Sequence, residues 1–235
     1  MPLKAVFFDA AGTLIRPVKP IGESYALLAK KYGKEVSPME ARERFRSCFS
    51  SAPPLAFPGA PSKDLPDLER AWWKDLVGRV FEPWGSFDRF DEYFSDLFGY
   101  FSRPDSWSLF PETVETLSAL RGQGLILAVI SNFDSRLFGI LDGLGIDSWF
   151  HSIFISSRVG YAKPAPEIFR AALELYRLKA AETLHIGDSP EKDAAGANNA
   201  GLTGVLLDRN GRSRMDSLLR VRDLREILTL VERQS

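Results

Sequence analysis

The chain has 235 residues, of which 45% are hydrophobic and 26% are charged. This length suits either one large domain or a core domain that carries a smaller insertion. The 30 Lys and Arg residues nearly balance the 31 Asp and Glu residues, and the formal net charge is -1. That balance excludes the global positive field with which proteins attract nucleic acids or anionic membranes, and it favours a small-molecule partner.

Cysteine usage and the lack of long apolar runs favour a cytoplasmic location. The chain has one cysteine, Cys48, so no internal disulfide is expected. No run approaches the roughly 18 apolar residues of a membrane span, and the first residues lack the pattern of a secretory signal. Neither histidine lies near Cys48 in the sequence, and we assign this cysteine no function.

Residues 3–15 predict a buried strand that ends at a carboxylate. Residues 3–8 are a short run with apolar, aromatic and β-branched members, and Gly12-Thr13 marks a turn after it. Open α/β sheets bind ligands at the carboxyl ends of their strands, which is where Asp9 would lie. Taken alone, Asp9 fits equally well as the cap of a turn or helix.

Residues 17–108 predict a helical insertion, because β-branched runs vanish there and Trp, Phe, Arg and Asp become frequent. Residues 22–33 have apolar positions at helical spacing, and Ser37-Pro38-Met39-Glu40 has the features of a helix start. Residues 51–61 are too rich in Pro and Gly to be helical. Helical periodicity resumes at 67–81 and 88–101, which predicts a small helical bundle that covers the strand ends as a cap.

From residue 109 onward, helical and strand patterns alternate. The predicted helices are 111–122, 136–144, 166–176, 191–200 and 221–231, and the predicted strands are 125–130, 152–156, 183–186 and 204–207. Such alternation predicts an α/β fold with a doubly wound parallel sheet, a Rossmann-like core, and an inserted helical-bundle cap domain. The expected division is 1–16 and 109–235 for the core and 17–108 for the cap.

Polar side chains follow the predicted strands, and we expect them to converge on one crevice. Asp9 and Asp188 would lie at neighbouring strand ends, where two close carboxylates need a cation or a shared proton. A divalent ion such as Mg²⁺ is the simpler solution, because it takes carboxylate, carbonyl, water and phosphate oxygens. The candidate residues are Asp9, Ser131, Asn132, Lys163, Asp188 and Asp193.

A phosphoryl group in this crevice would need positive charge and hydrogen-bond donors. Lys163, the Ser131 hydroxyl and the backbone N–H of Asn132 can supply them, and Asp193 can pair with Lys163. Each residue also has an ordinary alternative as a turn residue, a helix cap or a solvated charge. His151 and His185 are interpreted as structural, and Asp134 as a helix cap outside the site.

In order and spacing, residues 8–14, 130–132, 163–164 and 187–188 followed by Asp193 resemble the four motifs of the haloacid dehalogenase-like hydrolase superfamily. The likeness spans residues 4–208, and the insertion is similar to the helical cap that one subfamily places after its first motif. The resemblance implies that Asp9 attacks phosphorus to form an aspartyl-phosphate, which water then cleaves. It also implies that Ser131 and Lys163 hold the phosphoryl oxygens.

For the metal, the resemblance implies Mg²⁺ bound by the Asp9 side chain, the Ala11 backbone carbonyl and Asp188. Asp193 would complete this site by orienting Lys163 or a metal-bound water. The sequence departs from the family's phosphatases at Ala11, where they place a second aspartate that protonates the leaving group. General acid–base help contributes typically about 10²–10⁴-fold, so we expect weak or specialised phosphatase activity.

Three functions remain open from the sequence. The first is a Mg²⁺-dependent phosphohydrolase of a phosphorylated small molecule. The second is a 2-haloacid dehalogenase, in which Asp9 attacks carbon and halide leaves without needing a proton. The third is a non-catalytic relative that binds a phosphometabolite or a protein. The two motif aspartates, Asp188 and Asp193, favour the metal-dependent reaction.

Overall fold

The fold is taken from a computed structural model, which describes residues 2–233 except Arg212, Arg214 and Asp216. Its strands are β1 (Ala5–Phe8), β2 (Ile15–Pro17), β3 (Trp107–Leu109), β4 (Ile126–Ser131), β5 (Ser152–Ile155), β6 (Thr183–Gly187), β7 (Thr203–Leu207) and β8 (Leu219–Val221). Its α-helices are α1 (Ile21–Lys31), α2 (Pro38–Ser51), α3 (Leu65–Phe81), α4 (Phe90–Tyr100), α5 (Thr113–Gly122), α6 (Arg136–Gly143), α7 (Ser156–Val159), α8 (Pro166–Tyr176), α9 (Gly196–Asn199) and α10 (Glu226–Glu232).

Six strands form one sheet in the order β5-β4-β1-β6-β7-β8, and every neighbouring pair is parallel. Side chains of β1 alternate between the two faces, as strand geometry requires. Val6 and Phe8 pack with α5, α6 and α10, whereas Ala5 and Phe7 pack with α8 and α9. The doubly wound α/β core predicted from the sequence is therefore confirmed.

The four helices α1–α4 form a bundle, called the cap below, with an aromatic core of its own. Phe81 packs edge-on against Tyr93 with ring centroids 5.0 Å apart, and Tyr25 stacks on Phe81 at 6.3 Å. An antiparallel pair of short strands, β2 and β3, joins the cap to the sheet, with Ile15 opposite Leu109. This strand pair was not predicted from the sequence.

At three places the structure has a different kind of regular element from the one predicted. The predicted helix 191–200 is a π-helix, Pro190–Ala195, followed by α9. The predicted helix 221–231 was wrong at its start, because Val221 ends β8, where it pairs with Leu207, and α10 begins at Glu226. The predicted strand 152–156 ends one residue early, since Ser156 begins α7.

None of the helices among the described residues has the length and apolar composition that crossing a bilayer requires.

Candidate active site

The centre of the sheet brings three predicted site residues to one edge. Strand β1 lies between β4 and β6, and all three run in the same direction. Asp9 directly follows β1, Ser131 is the last residue of β4, and Asp188 directly follows β6. Because the carboxyl ends of these parallel strands meet, residues that are far apart in sequence share one crevice.

The Asp9 carboxylate is buried and is fixed by two donors. The Ser131 hydroxyl donates to Asp9 Oδ1 at 3.0 Å, and Lys163 Nζ donates to the same oxygen at 2.8 Å. Thr13 Oγ1 lies 3.5 Å from Asp9 Oδ2, at the limit of a hydrogen bond. The orientation of the carboxylate is therefore determined by groups from three separate segments of the chain.

Lys163 is buried and links two of the aspartates. Its Nζ donates to Asp193 Oδ1 at 2.6 Å and to the Ile130 carbonyl at 2.7 Å, besides its contact with Asp9. Asp193 Oδ1 also lies 3.1 Å from His185 Nε2, and its Oδ2 accepts the backbone N–H of Ser189 at 2.9 Å. Both Asp193 oxygens are thus already engaged within the protein.

The side-chain amide of Asn132 forms two hydrogen bonds with the backbone of Lys163. Its Oδ1 accepts the Lys163 N–H at 2.7 Å, and its Nδ2 donates to the Lys163 carbonyl at 2.8 Å. The side chain of Asn132 therefore holds the loop that carries Lys163, and it does so from the end of the neighbouring strand β4. From the sequence, only the backbone N–H of Asn132 was predicted to have a role, and not this role of its side chain.

The three aspartates could hold a cation. One oxygen from each of Asp9, Asp188 and Asp193 lies within 4.8 Å of the others. Lys163 offsets only one of the three negative charges, and the remaining excess matches a divalent ion bound by hard oxygen ligands. The bonds that close the turn after β1 use Ala10 and Ile15 carbonyls and not that of Ala11, so the Ala11 carbonyl fits as a further ligand.

Two glycines make room for these carboxylates. A Cβ on Gly12 would lie 2.3 Å from Asp188 Oδ2, and the positive φ of +97° at Gly12 is itself unfavourable for other residues. A Cβ on Gly187 would lie 2.2 Å from Asp193 Cγ. The backbone must therefore approach both aspartates without any side chain between them.

Burial and neighbouring charges shift the acid pKa values in different directions. Burial raises the pKa of Asp9, and the nearby Lys163 opposes this shift. Burial would also raise the pKa of Asp193, but Lys163 and His185 beside it hold that pKa below its usual range. Although part of Asp188 reaches solvent, its carboxyl is largely shielded from water by the surrounding protein, and this desolvation, together with the nearby Asp9 and Asp193, raises its pKa to about 7.

A second polar cluster, the cap latch, joins the cap to the segment after β4. Trp73 Nε1 donates to Asp134 Oδ2 at 2.6 Å, and Arg136 Nη2 donates to the same oxygen at 2.6 Å. Glu69 Oε1 accepts both the N–H and the hydroxyl of Ser135, at 3.1 and 2.9 Å. Asp134 and Glu69 are buried. As predicted for a helix cap, Asp134 accepts the backbone N–H of Arg136 at the start of α6. It also joins the cap to the core through its hydrogen bond from Trp73.

The two histidines occupy different environments. His185 is fully buried in β6, and burial lowers its pKa. It contacts Asp193 and thereby supports the Lys163 network, a role that its apolar sequence neighbours do not reveal. His151 Nδ1 lies 3.1 Å from the Leu127 N–H, away from the aspartates. Cys48 is buried in the aromatic core of the cap.

Comparison with known proteins gives consistent matches along the chain. The family model for haloacid dehalogenase-like hydrolases matches residues 3–201. The chain is 35% identical over 210 residues to human haloacid dehalogenase-like hydrolase domain-containing protein 3, covering 88% of this chain and 82% of the relative. The altered first motif and residues 131–134 resemble that same group.

Two further matches carry different names. A phosphoserine phosphatase of Thermus thermophilus is 29% identical over 254 residues, covering 96% of this chain and 98% of that protein. The L-2-haloacid dehalogenase of Xanthobacter autotrophicus has a similar structure, with a TM-score of 0.74, 15% identity, and coverage of 99% of this chain and 100% of that one. The latter likeness concerns the fold alone.

Proposed function

Because the chain belongs to the haloacid dehalogenase-like hydrolases, as its motifs predicted, we propose that it is a Mg²⁺-dependent phosphohydrolase with Asp9 as its nucleophile. The observation that carries this proposal is the cluster of three carboxylates within 4.8 Å, two of which contact Lys163. Such a cluster suits a divalent ion and a phosphoryl group together. The relative named a phosphatase supports the same reaction class.

The metal would be held by the Asp9 side chain, the Ala11 carbonyl and Asp188. When bound, Mg²⁺ neutralises excess negative charge and polarises phosphoryl oxygens. Asp193 would act on this site through Lys163, because its oxygens already accept bonds from Lys163 and the Ser189 backbone. The pKa of Asp188, raised to about 7, also fits a carboxyl that exchanges its proton for a metal.

The reaction has two steps in this site. The Asp9 carboxylate attacks the phosphorus atom, and the bond from phosphorus to the leaving oxygen breaks. Lys163 and Ser131 would donate to the phosphoryl oxygens, since both already point at Asp9 Oδ1. Water then attacks the phosphorus of the aspartyl-phosphate, the bond from phosphorus to the Asp9 oxygen breaks, and the water proton passes to solvent as phosphate leaves and Asp9 is restored.

Ala11 restricts the leaving groups that this site can expel. An alanine can neither protonate a leaving alkoxide nor activate the water that follows. General acid–base catalysis is typically worth about 10²–10⁴-fold, which corresponds to roughly 3–5 kcal/mol of barrier. The enzyme should therefore favour acyl and aryl phosphates, whose leaving groups depart without a proton, over alkyl phosphates.

The test is hydrolysis of an aryl phosphate with and without Mg²⁺. We expect Mg²⁺-dependent turnover that the Asp9→Asn variant loses and that the matched control Asp142→Asn, at an exposed position on α6, keeps. If Asp9→Asn is as active as the wild type, the observed turnover comes from a contaminant and the proposed nucleophile is wrong.

Ala11 also favours a second candidate, a 2-haloacid dehalogenase. There Asp9 would attack the halogen-bearing carbon, the carbon–halogen bond would break, and the halide would leave without a proton. Chloride release from 2-chloropropionate, without aryl-phosphate hydrolysis, would establish this reaction and exclude the first. If the protein catalyses neither reaction, what remains is a relative that binds a phosphometabolite or a protein.

A further inference from the structure

An open cleft of about 960 Å³ lies between the cap and the core. Helix α2 of the cap forms one wall, and the segment from Arg16 to Ile21 forms part of the other, together with Ser108 and Lys192. A smaller, mostly apolar pocket, which Trp73 and Arg136 help to line, adjoins this cleft and shares Pro17, Ile21 and Phe45 with it. The size of the cleft would admit a small metabolite.

Among the described residues, basic side chains line the cleft and no acidic side chain does. Each basic side chain is exposed, and within the described parts of the chain none of them forms an ion pair with a carboxylate. The chain as a whole carries a formal net charge of -1, so this positive charge is a local feature. The five residues are Arg16, Lys19, Arg42, Arg46 and Lys192.

Helix geometry explains how α2 contributes to the cleft. Arg42 and Arg46 are four residues apart and therefore share one face of α2. Phe45 and Phe49 have the same spacing and stack on each other with ring centroids 5.4 Å apart. Lys192 from the core lies over the Phe49 ring at 5.5 Å, so a cation of the core reaches the α2 wall of the cleft.

The core wall belongs to the same loops as the candidate active site. Arg16 directly follows Ile15, whose carbonyl accepts the N–H of Gly12 at 2.8 Å. Lys192 directly precedes Asp193 in the π-helix. Two segments that carry candidate site residues therefore also carry basic side chains of the cleft.

We infer that the substrate is a small phosphate ester that carries a second anionic group, a carboxylate or another phosphate, bound in this cleft. The inference rests on the proposed phosphohydrolase function. In the proposed reaction Lys163 and Ser131 bind the transferred phosphoryl group, so the five cleft cations remain for a different group on the same molecule. Confinement of the cations to one cleft favours a small molecule over a nucleic-acid polymer.

The inference can be tested with two aryl phosphates whose phenol leaving groups have similar acidity, phenyl phosphate and 4-(carboxymethyl)phenyl phosphate. We expect the wild type to show a kcat/KM about tenfold higher for the carboxylated ester, because an added anion gains attraction from several cations. The Arg42→Glu/Arg46→Glu variant should abolish this preference, and Lys192→Gln should reduce it. Arg170→Glu/Arg177→Glu, at two exposed positions on and directly after α8, changes the net charge by the same amount and is the matched control.

Binding of the corresponding non-hydrolysable phosphonates, measured by calorimetry, separates this inference from the proposed reaction. If phenyl phosphate is hydrolysed in an Asp9-dependent way but the wild type and Arg42→Glu/Arg46→Glu show the same ratio, the substrate class is wrong and the reaction stands. If neither ester is hydrolysed while the carboxylated phosphonate binds more tightly in a manner that requires Arg42 and Arg46, the reaction is wrong and the anion-binding cleft stands. Equal binding of both phosphonates overturns the inference.

Discussion

The protein holds positive charge in two different ways, in the buried site of the core and in the open cleft beside helix α2 of the cap. On the core side, Lys163 is buried and contacts the carboxylates of Asp9 and Asp193. On the cap side, Arg42 and Arg46 are exposed and, among the residues that the structure describes, have no carboxylate partner. A buried ion needs its counter-ion within the fold, because losing water is costly, whereas an exposed ion does not.

This difference suits the two groups of charges to two different roles, catalysis and substrate selection. The charge of Lys163 is compensated by the protein, so its position is fixed before a ligand arrives, as transition-state stabilisation requires. The charges in the cleft are compensated by water and ions, which a ligand can displace at little cost. Substitutions on the core side should therefore affect both chemistry and folding, and those on the cap side should affect substrate preference alone.

The largest effect should come from Lys163→Met. Removing Nζ leaves the buried Asp9 and Asp193 carboxylates without their counter-ion, which typically costs about 3–5 kcal/mol of stability. Aryl-phosphate turnover should fall by about 10³-fold, the scale expected for the loss of a preorganised donor. Urea unfolding and steady-state kinetics measure the two effects, with the exposed Lys31→Met as control. A Lys163→Met protein with wild-type turnover contradicts the role given to this lysine.

A gain of about 100-fold in alkyl-phosphate turnover is expected for Ala11→Asp, because the new carboxyl can protonate the leaving group. Ala11→Asn, which has a similar shape but no acidic proton, is the matched control and should show no gain. This substitution changes the core side without touching the cleft, so the preference between carboxylated and plain esters should persist. If both variants behave like the wild type, the missing acid does not limit the enzyme.

The pH dependence of Mg²⁺ binding tests the raised pKa of Asp188, about 7. Protons compete with the metal below that pKa, so Mg²⁺ affinity should be about tenfold weaker at pH 6 than at pH 8. Calorimetric titration at both pH values measures the difference, and a pH-independent Mg²⁺ affinity contradicts the assignment of Asp188 as a ligand.

Without metal, a rise in pH has the opposite effect and lowers the stability of the folded protein. The folded protein keeps the Asp188 proton at pH values where the unfolded chain has lost it, so this contribution to stability declines as the pH rises from about 4 to about 7.

The smallest effect on folding should come from the cleft. Arg46→Ala removes an exposed charge without an ion-pair partner in the described residues, and the melting temperature should shift by less than about 2 °C. The thermal melt of Arg46→Ala, compared with that of Lys163→Met, shows directly whether the two sides differ. A loss of stability as large as that of Lys163→Met means that the cleft charges are structural.

Both the sheet and the position of the candidate active site could be predicted from the pattern of apolar runs. Apolar runs of strand length mark the buried strands, and parallel strands bring Asp9, Ser131 and Asp188 to a common edge once the sheet forms. The strands that escaped prediction, β2, β3 and β8, have three residues each and no continuous apolar run. Each of them forms by pairing with another strand. Strand β2 pairs with β3, which is distant in the sequence, and β8 pairs with β7 at the edge of the sheet.

Contacts between the cap and the core could not be predicted in the same way. Periodicity assigned Trp73, Arg44 and Arg46 to helices without indicating which side chain faces the crevice. In the structure, Trp73 bonds to Asp134, Arg44 donates to the Arg79 carbonyl within the cap at 2.8 Å, and Arg46 lines the cleft. Each outcome depends on how the two parts of the molecule pack, which no local pattern contains.

The two glycines beside the aspartates reverse the usual logic of alanine scanning. Replacing a residue by alanine normally deletes an interaction, and the result reveals what the side chain contributed. At Gly12 and Gly187, alanine instead adds an atom within 2.3 Å or less of an aspartate side chain that the proposed chemistry requires. The sensitivity of these positions lies in the space they leave empty, so a scan that passes over glycines would miss two of the strictest requirements of the site.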